Sequence, residues 1–226
     1  MDGAAIELDH VVIGVPDLDA AAARFDREYG LTAVEGGRHA GWGTANRLVP
    51  LGSSYVELVA VVDPVEAAGS AFGRRVAAMA SGRSGWGWAV RTRNLRAVAD
   101  RLDLVVTQGS RRSRSGALLQ WQIGGVEPTE ADPWLPFFVE WGEDTPLPGR
   151  ADVQHRAGTV ALKTIWVDGE PARLAAWLGT GTDRPLPGVA AVVSVHPGGR
   201  GLIRLALDAP SGRIMIEPVP AAAYDE

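Results

Sequence analysis

One order of predicted elements, strand, helix, strand, strand and strand, occurs three times along the 226 residues. Three residues open the predicted helices and lie 77 and 75 residues apart: Leu18, Leu95 and Glu170. Three glutamates lie in the middle of the last strands at intervals of 83 and 77 residues: Glu57, Glu140 and Glu217. A repeat at a nearly constant period constrains the fold more strongly than a single motif, because each copy predicts the same supersecondary unit.

The repeat predicts the domain organisation. A first βαβββ unit covers residues 5–62, a crossover helix covers 63–84, and a second βαβββ unit covers 85–143. A third, degenerate unit covers 158–219 and packs on the first two, after a linker rich in proline and glycine over 142–153. The predicted fold class is therefore α+β, with three copies of the unit.

The composition excludes several classes of function. The net charge is −5 and no basic stripe is present, so we expect no binding to nucleic acid. The chain has no cysteine, so a metal would have to be bound by His, Asp or Glu. No apolar run approaches the roughly 18 residues that cross a membrane, and the first residues lack a leader pattern. We therefore expect a cytoplasmic protein without membrane contact.

The three glutamates are the least expected residues of the pattern. Their contexts are YVELV, FFVEW and IMIEP, in which a carboxylate interrupts an apolar strand. A buried carboxylate must be paired, protonated or bound to a metal, because an isolated buried charge is too unfavourable. Strand alternation puts Glu57 on the face of Tyr55 and Val59, and Glu140 on the face of Phe138.

His10 lies at the centre of the first predicted strand, between apolar neighbours. A histidine in such a strand is commonly a hydrogen-bonded core residue. If the sheet curls so that the first and last strands of a unit face one hollow, His10 instead meets Glu57. An imidazole and a carboxylate together are suited to Zn, Mn, Fe, Co or Ni.

Four segments carry a resemblance to a known family. They are LDHVVIGVPDLDAAAARF, GRHAGWGTANRLVPLGSSYVELVAV, LLQWQIGG and LPFFVEWGED, and they resemble glyoxalase-like domain proteins of the vicinal-oxygen-chelate (glyoxalase/bleomycin resistance/dioxygenase) superfamily. The resemblance implies a cupped mixed sheet with helices packed outside. It also implies a metal held by a first-strand residue and a last-strand glutamate from each of two units.

Transferred to this chain, the resemblance implies one divalent metal on three ligands: His10, Glu57 and Glu140. The fourth ligand position, on the first strand of the second unit, falls at Gly87. Glycine has no side chain to bind a metal, so water or substrate would complete the site. The alternative is that His10 and the glutamates form a buried polar network. In the third unit Glu217 matches the last-strand position, but Leu162 stands opposite His10, so we expect no second site there.

Other residues are candidates for the pocket. The resemblance places His39, Trp42 and Asn46, from a glycine-rich segment, at its mouth, with His39 as the best general acid or base. The complete predicted substrate-binding set is Trp42, Asn46, Tyr55, Trp88, Trp121 and Phe138. A basic cluster is either a solvated strand end or a site for a substrate carboxylate: Arg111, Arg112 and Arg114.

Two functions remain open at this point. The first is a metal-dependent enzyme, a lyase, isomerase or dioxygenase, in which the metal acts as a Lewis acid on a small oxygen-bearing substrate. Its catalytic residues would be Glu57, Glu140 and His39, which move a proton. The second is a metal-free protein that binds or sequesters a small molecule, such as an antibiotic, between tryptophan side chains. A protein without a site, and a homodimer, also remain open.

Overall fold

The computed structural model describes residues 6–112, 116, 118–181, 186–194 and 201–218. The first and last residues of the predicted units, 5 and 219, therefore lie outside the described residues, as does Arg114. Within the described part, the chain forms twelve strands and six α-helices in the order that the repeat predicts, with a few additions.

The first two units have the expected elements. The first unit consists of β1 (Glu7–Gly14), α1 (Leu18–Tyr29), β2 (Val34–His39), β3 (Thr44–Pro50) and β4 (Tyr55–Val61). The second unit consists of β5 (Gly87–Arg91), α4 (Leu95–Leu102), β6 (Val106–Arg112), β7 (Leu118–Gly124), the short helix α5 (Pro128–Ala131) and β8 (Phe137–Trp141). Asp17 and Asn94 cap α1 and α4, through bonds to backbone N–H groups three residues on.

The segment between these units contains two helices where the sequence predicted one. They are α2 (Pro64–Ala68) and α3 (Ala71–Ala80). Asp63 caps α2 and Ser70 caps α3, and Gly69 lies between them. A second capping residue inside the segment interrupts the helix, because its side chain bonds to the free N–H groups of a new first turn.

The strands of the first two units form one sheet of eight strands, in the order β2-β3-β4-β1-β5-β8-β7-β6. The first and last strands pair in parallel within each unit, and β1 pairs antiparallel with β5 at the centre. The sheet curls until its two edge strands approach each other, where the Arg111 guanidinium on β6 donates to the carbonyl of Gly36 on β2. The predicted α+β fold with a cupped mixed sheet is thus confirmed.

The third segment has the predicted order of elements but pairs its strands differently. It contains β9 (Ala161–Asp168), α6 (Pro171–Leu178), β10 (Ala190–Ser194), β11 (Gly201–Ala209) and β12 (Gly212–Ile216), after a 3-10 turn at Pro148–Arg150. These strands form a separate sheet in the order β10-β9-β11-β12. The strand after the helix therefore lies next to the first strand, whereas in the first two units it lies at the far edge. The spacing of apolar residues along the chain specifies whether each element is a helix or a strand, and packing decides which strands pair.

The second sheet packs on the outer face of the large sheet, together with α1 and α4. One apolar cluster joins both sheets and includes Trp88, Phe138, Trp134, Leu202 and Leu205. Trp86 and Leu202 exchange two backbone hydrogen bonds of 3.1 and 3.0 Å across the junction. This packing leaves the inner face of the large sheet free to line a hollow.

A smaller apolar cluster covers part of the inner face, where α3 lies against β1 and β4. Gly14 allows this contact, since a Cβ there would lie 2.5 Å from the Cβ of Met79. Within the described residues, none of the helices has the length and apolar character needed to span a membrane.

Candidate functional site

The inner face of the large sheet encloses a pocket. Its polar lining groups are few and lie together: His10, His39, Asn46, Glu57 and Arg111. Aromatic side chains form most of the remaining wall: Trp42, Tyr55, Phe72, Trp121, Phe137 and Trp141. A concave, mainly apolar space with a few convergent polar groups is typical of a small-molecule site.

Glu57 lies at the centre of the polar groups and is 5% exposed. The parallel pairing of β1 with β4 brings it near His10, whose Nε2 lies 3.6 Å from Glu57 Oε2. On its other side, His39 Nε2 lies 3.7 Å from Glu57 Oε1, and the Asn46 amide donates to the same oxygen. The structure therefore brings together the imidazole of the first strand and the glutamate of the last strand.

Asp9, which the sequence analysis did not single out, orients His10. The register of β1 against β5 shifts between Leu8 and His10, so Asp9 forms a β-bulge that re-aims its side chain. Asp9 Oδ2 lies 2.7 Å from His10 Nδ1, and Asp9 Oδ1 accepts from Trp141 Nε1 at 3.0 Å. A carboxylate only accepts, so Nδ1 carries a proton and Nε2 faces Glu57. The acidic residue beside the histidine in LDHVV is the only sequence signal for this pair.

The gap between His10 and Glu57 defines where a ligand can bind. At 3.6 Å, Nε2 and Oε2 are too far apart for a direct hydrogen bond, so both atoms remain available to a third group. Tyr55 stacks on the His10 ring, with centroids 4.5 Å apart, and restricts its rotation. Burial, followed by the charges of Asp9 and Glu57, raises the pKa of Tyr55 well above its usual value, so it remains a neutral phenol.

His39 is held in place at both ring nitrogens. Asn46 Nδ2 can only donate, so His39 Nε2 accepts from it at 3.1 Å, and Nδ1 then donates to Thr44 Oγ1 at 2.9 Å. Burial lowers the pKa of His39; Glu57 opposes this shift, and Arg111 and His10 add to it. His39 is consequently a neutral residue that fixes Asn46 against Glu57.

Glu140 does not join His10 and Glu57. On β8 the inward side chains are Phe137, Val139 and Trp141, so Glu140 lies on the outer face. There its Oε2 accepts a hydrogen bond of 2.8 Å from the N–H of Leu95, in the first turn of α4. The expectation that His10, Glu57 and Glu140 share one hollow is therefore wrong. The glutamate of β8 lies on the outer face of the sheet, whereas the glutamate of β4 lies on the inner face.

Trp88 and Phe138 also lie on the outer face and not in the pocket. Both are fully buried in the apolar cluster that joins the two sheets, where Trp88 Nε1 donates to the carbonyl of Trp134 at 2.9 Å. The other predicted substrate-binding residues do line the pocket: Trp42, Asn46, Tyr55 and Trp121. Tryptophans of the second unit on the outer face of the sheet thus pack in the core, and those on the inner face line the pocket.

Arg111, from the basic cluster, lines the pocket and is 8% exposed. Phe72 from α3, and Phe137 and Trp141 from β8, line the pocket as well and were not predicted. The ring of Phe72 contacts His39 and Phe137, which are far from it in sequence, so no local pattern identifies Phe72. In the third segment Glu217 pairs with Arg204 at 2.6 Å on the surface, and Leu162 is buried in the core.

The residues present do not fit the three-ligand metal centre that the resemblance implies. A tetrahedral metal with bonds of about 2.1 Å places its ligands roughly 3.4 Å apart, so His10 and Glu57 match one edge of such a shell. His39 Nε2 already accepts from Asn46, and Glu140 faces outward. Across the described ranges, no three His, Asp or Glu side chains are arranged to hold a metal.

A cupped sheet of two βαβββ units, with an imidazole and a carboxylate meeting inside it, defines the class of protein. A family model described as a glyoxalase-like domain matches residues 8–181, and the chain belongs to this family. The resemblance to the vicinal-oxygen-chelate superfamily is thereby confirmed. A comparison with curated protein sequences gives no match.

One solved structure is similar in fold over 95% of the chain. A hypothetical protein from Staphylococcus aureus is 17% identical with a TM-score of 0.70, covering 95% of this chain and 100% of its own. Methylmalonyl-CoA epimerase from Mycobacterium tuberculosis is 22% identical with a TM-score of 0.40, covering 60% of this chain and 86% of its own. Methylmalonyl-CoA epimerase in complex with methylmalonyl-CoA and NH4+ is 18% identical with a TM-score of 0.43, covering 63% and 99%. At these identities the likeness concerns the fold alone.

Proposed function

We propose that this protein is an enzyme of the isomerase or lyase type that moves a proton on a small oxygen-bearing organic substrate. Glu57 is the general base, and His10, oriented by Asp9, is its acid–base partner. The observation that carries the proposal is the 3.6 Å gap between His10 Nε2 and Glu57 Oε2, both buried and facing one aromatic pocket. General acid–base catalysis requires two such groups within reach of the same ligand atoms.

The reaction that fits this arrangement begins at a carbon beside a carbonyl group. Glu57 takes the proton from that carbon, and the electron pair of the C–H bond forms an enolate. His10, protonated at both ring nitrogens at this stage, donates its Nε2 proton to the enolate oxygen and keeps its Nδ1 proton on Asp9; the same proton returns to Nε2 when the carbonyl group re-forms. Return of the proton from Glu57 to the adjacent carbon gives an isomer, and departure of a leaving group from the next carbon, with the electron pair of its bond, gives a lyase product.

The proposal does not depend on the divalent metal that the resemblance implied. Glu140, one of the three expected ligands, is on the outer face of the sheet. Each of the steps above is performed by side chains that line the pocket. His39 and Asn46 act as positioning residues, because their hydrogen bonds hold the carboxylate of Glu57 toward His10.

Proton exchange tests this function directly. The protein is incubated in D2O with hydroxyacetone, phenylacetone, mandelate and phenylpyruvate, and loss of the carbon-bound proton is followed by NMR. We expect enzyme-dependent exchange with at least one compound, and a decrease of about 100-fold or more in Glu57→Gln, since the general base is removed.

Glu140→Gln is the matched control, because it makes the same chemical change at the corresponding glutamate of the second unit. It should exchange protons at the wild-type rate. Wild-type exchange in a folded Glu57→Gln protein would refute the role of Glu57, and a wild-type protein that binds these compounds without exchange would favour the second function below.

The second candidate function is binding without chemistry. Six aromatic side chains line the pocket, which suits an aromatic ligand held by stacking. In that case Glu57→Gln would leave tryptophan quenching by the ligand unchanged, and no proton would exchange in either protein.

A further inference from the structure

Arg111 differs from the other groups that line the pocket. It is the only lysine or arginine among the described lining residues, and it is 8% exposed. Its pairing opposite Leu119 on the neighbouring strand turns its side chain inward, toward the face that carries Glu57. A permanent positive charge therefore lies inside a mainly aromatic wall.

This charge has no ion pair within the described part of the chain. The guanidinium donates to the backbone carbonyl of Gly36, but no carboxylate oxygen lies within 4.0 Å of its nitrogens among the described residues. Burial lowers the pKa of Arg111, and Tyr55 and Glu57 offset this shift only in part. A buried cation without a counter-ion is unfavourable, and such groups cluster at functional sites.

The bond to Gly36 leaves the guanidinium suited to an anion. Arginine offers five N–H donors in a planar fork that matches a carboxylate, and the bond to Gly36 fixes the side chain across the seam between β2 and β6. Glu57 also lines the pocket and repels an anion. A ligand with a carboxylate would accordingly bind with that group at Arg111 and with its adjacent carbon toward Glu57.

We infer that Arg111 binds a carboxylate of the ligand, and that the pocket selects small organic carboxylates with an aromatic or apolar body. Arg111 is thus a specificity-determining residue. The inference deepens the proposed function, on which it rests for the role of the neighbouring carbon, but anion selection itself is measured by binding alone.

Two compounds of nearly equal shape test it. Phenylacetate carries the charge, and phenylacetamide lacks it. Quenching of the pocket tryptophans reports binding of both to wild type, Arg111→Gln, Arg111→Lys and Arg96→Gln. Arg96 is the control, because its side chain is 85% exposed on α4.

We expect wild type and Arg96→Gln to prefer phenylacetate by about 10- to 100-fold, as for hydrogen bonds to a charged group. Arg111→Gln should bind the two compounds within about threefold of each other, with unchanged affinity for the amide. Arg111→Lys should keep an intermediate preference, since lysine supplies a charge without the fork.

Equal binding of the two compounds by wild type would overturn the inference, as would an undiminished preference in Arg111→Gln. If Arg111→Gln fails to fold, Arg111→Lys decides, and a preference equal to that of wild type would overturn recognition by the guanidinium. Glu57→Gln should keep the preference for phenylacetate. Absence of proton exchange in a protein that still prefers phenylacetate would therefore contradict only the proposed function. Absence of that preference in a protein that still exchanges protons would contradict only the role of Arg111.

Discussion

His39 illustrates how burial changes the role of a single residue. A histidine in a glycine-rich segment was the best general acid or base on sequence grounds, and the side chain does line the pocket. Both of its nitrogens, however, are bonded to Thr44 and Asn46, and burial favours the neutral ring. The ring nitrogen that remains available in the pocket is Nε2 of His10, because Asp9 bonds only to Nδ1 of that ring.

The lowered pKa of His39 predicts how stability depends on pH. As the pH falls through about 6.5, the usual pKa of a histidine, the unfolded chain binds a proton that the folded protein resists, so the free energy of unfolding decreases until the folded pKa is reached. His39→Gln removes this contribution and should flatten the dependence of the free energy of unfolding on pH below about pH 6.5. Urea denaturation at several pH values measures it. Identical slopes in the two proteins would contradict the prediction, whatever the change in stability at neutral pH.

At the scale of elements, the alternation of side chains along a strand decides which glutamate lines the pocket. Glu57 and Glu140 have similar contexts and both end a βαβββ unit, yet they lie on opposite faces of the large sheet. A shift of one residue in register moves every side chain of a strand to the other face. Context in the chain therefore could not distinguish a pocket residue from a helix cap.

The position of Glu140 predicts a structural role for it. Its carboxylate accepts from the N–H of Leu95 and lies at the positive end of the α4 dipole. Glu140→Ala should lower the free energy of unfolding by about 1 kcal/mol, and Glu140→Gln should cost less because an acceptor oxygen remains. Metal content and phenylacetate binding should not change. A folded Glu140→Ala protein that loses bound metal or ligand would restore Glu140 to the site.

At the scale of the whole molecule, the second sheet completes the core of the first. The outer face that holds Trp88 and Phe138 is covered by β9, β11 and α6, and one apolar cluster extends through both sheets. Trp177 of α6 donates from Nε1 to the carbonyl of Pro136, directly before β8. The third segment consequently supports the strand that carries Phe137 into the pocket.

This shared core predicts one cooperative unfolding transition. Leu205→Ala, in the fully buried part of β11, should lower the free energy of unfolding by about 2 to 5 kcal/mol and shift tryptophan fluorescence and far-UV circular dichroism together. Val192→Ala is the control, since Val192 is 40% exposed in the same sheet and should change stability by less than about 0.5 kcal/mol. Separate transitions would show that the two sheets unfold independently.

The sequence by itself determined the main order of elements and the α+β class, because periodicity is visible within single strands and helices. The cupped sheet and the meeting of His10 with Glu57 were implied by the family resemblance. Tertiary structure alone decided the outward position of Glu140, the bulge at Asp9 and the inward turn of Arg111. It also decided the strand order of the second sheet. These features depend on register, curvature and contacts between residues far apart in the chain, and no local pattern carries that information.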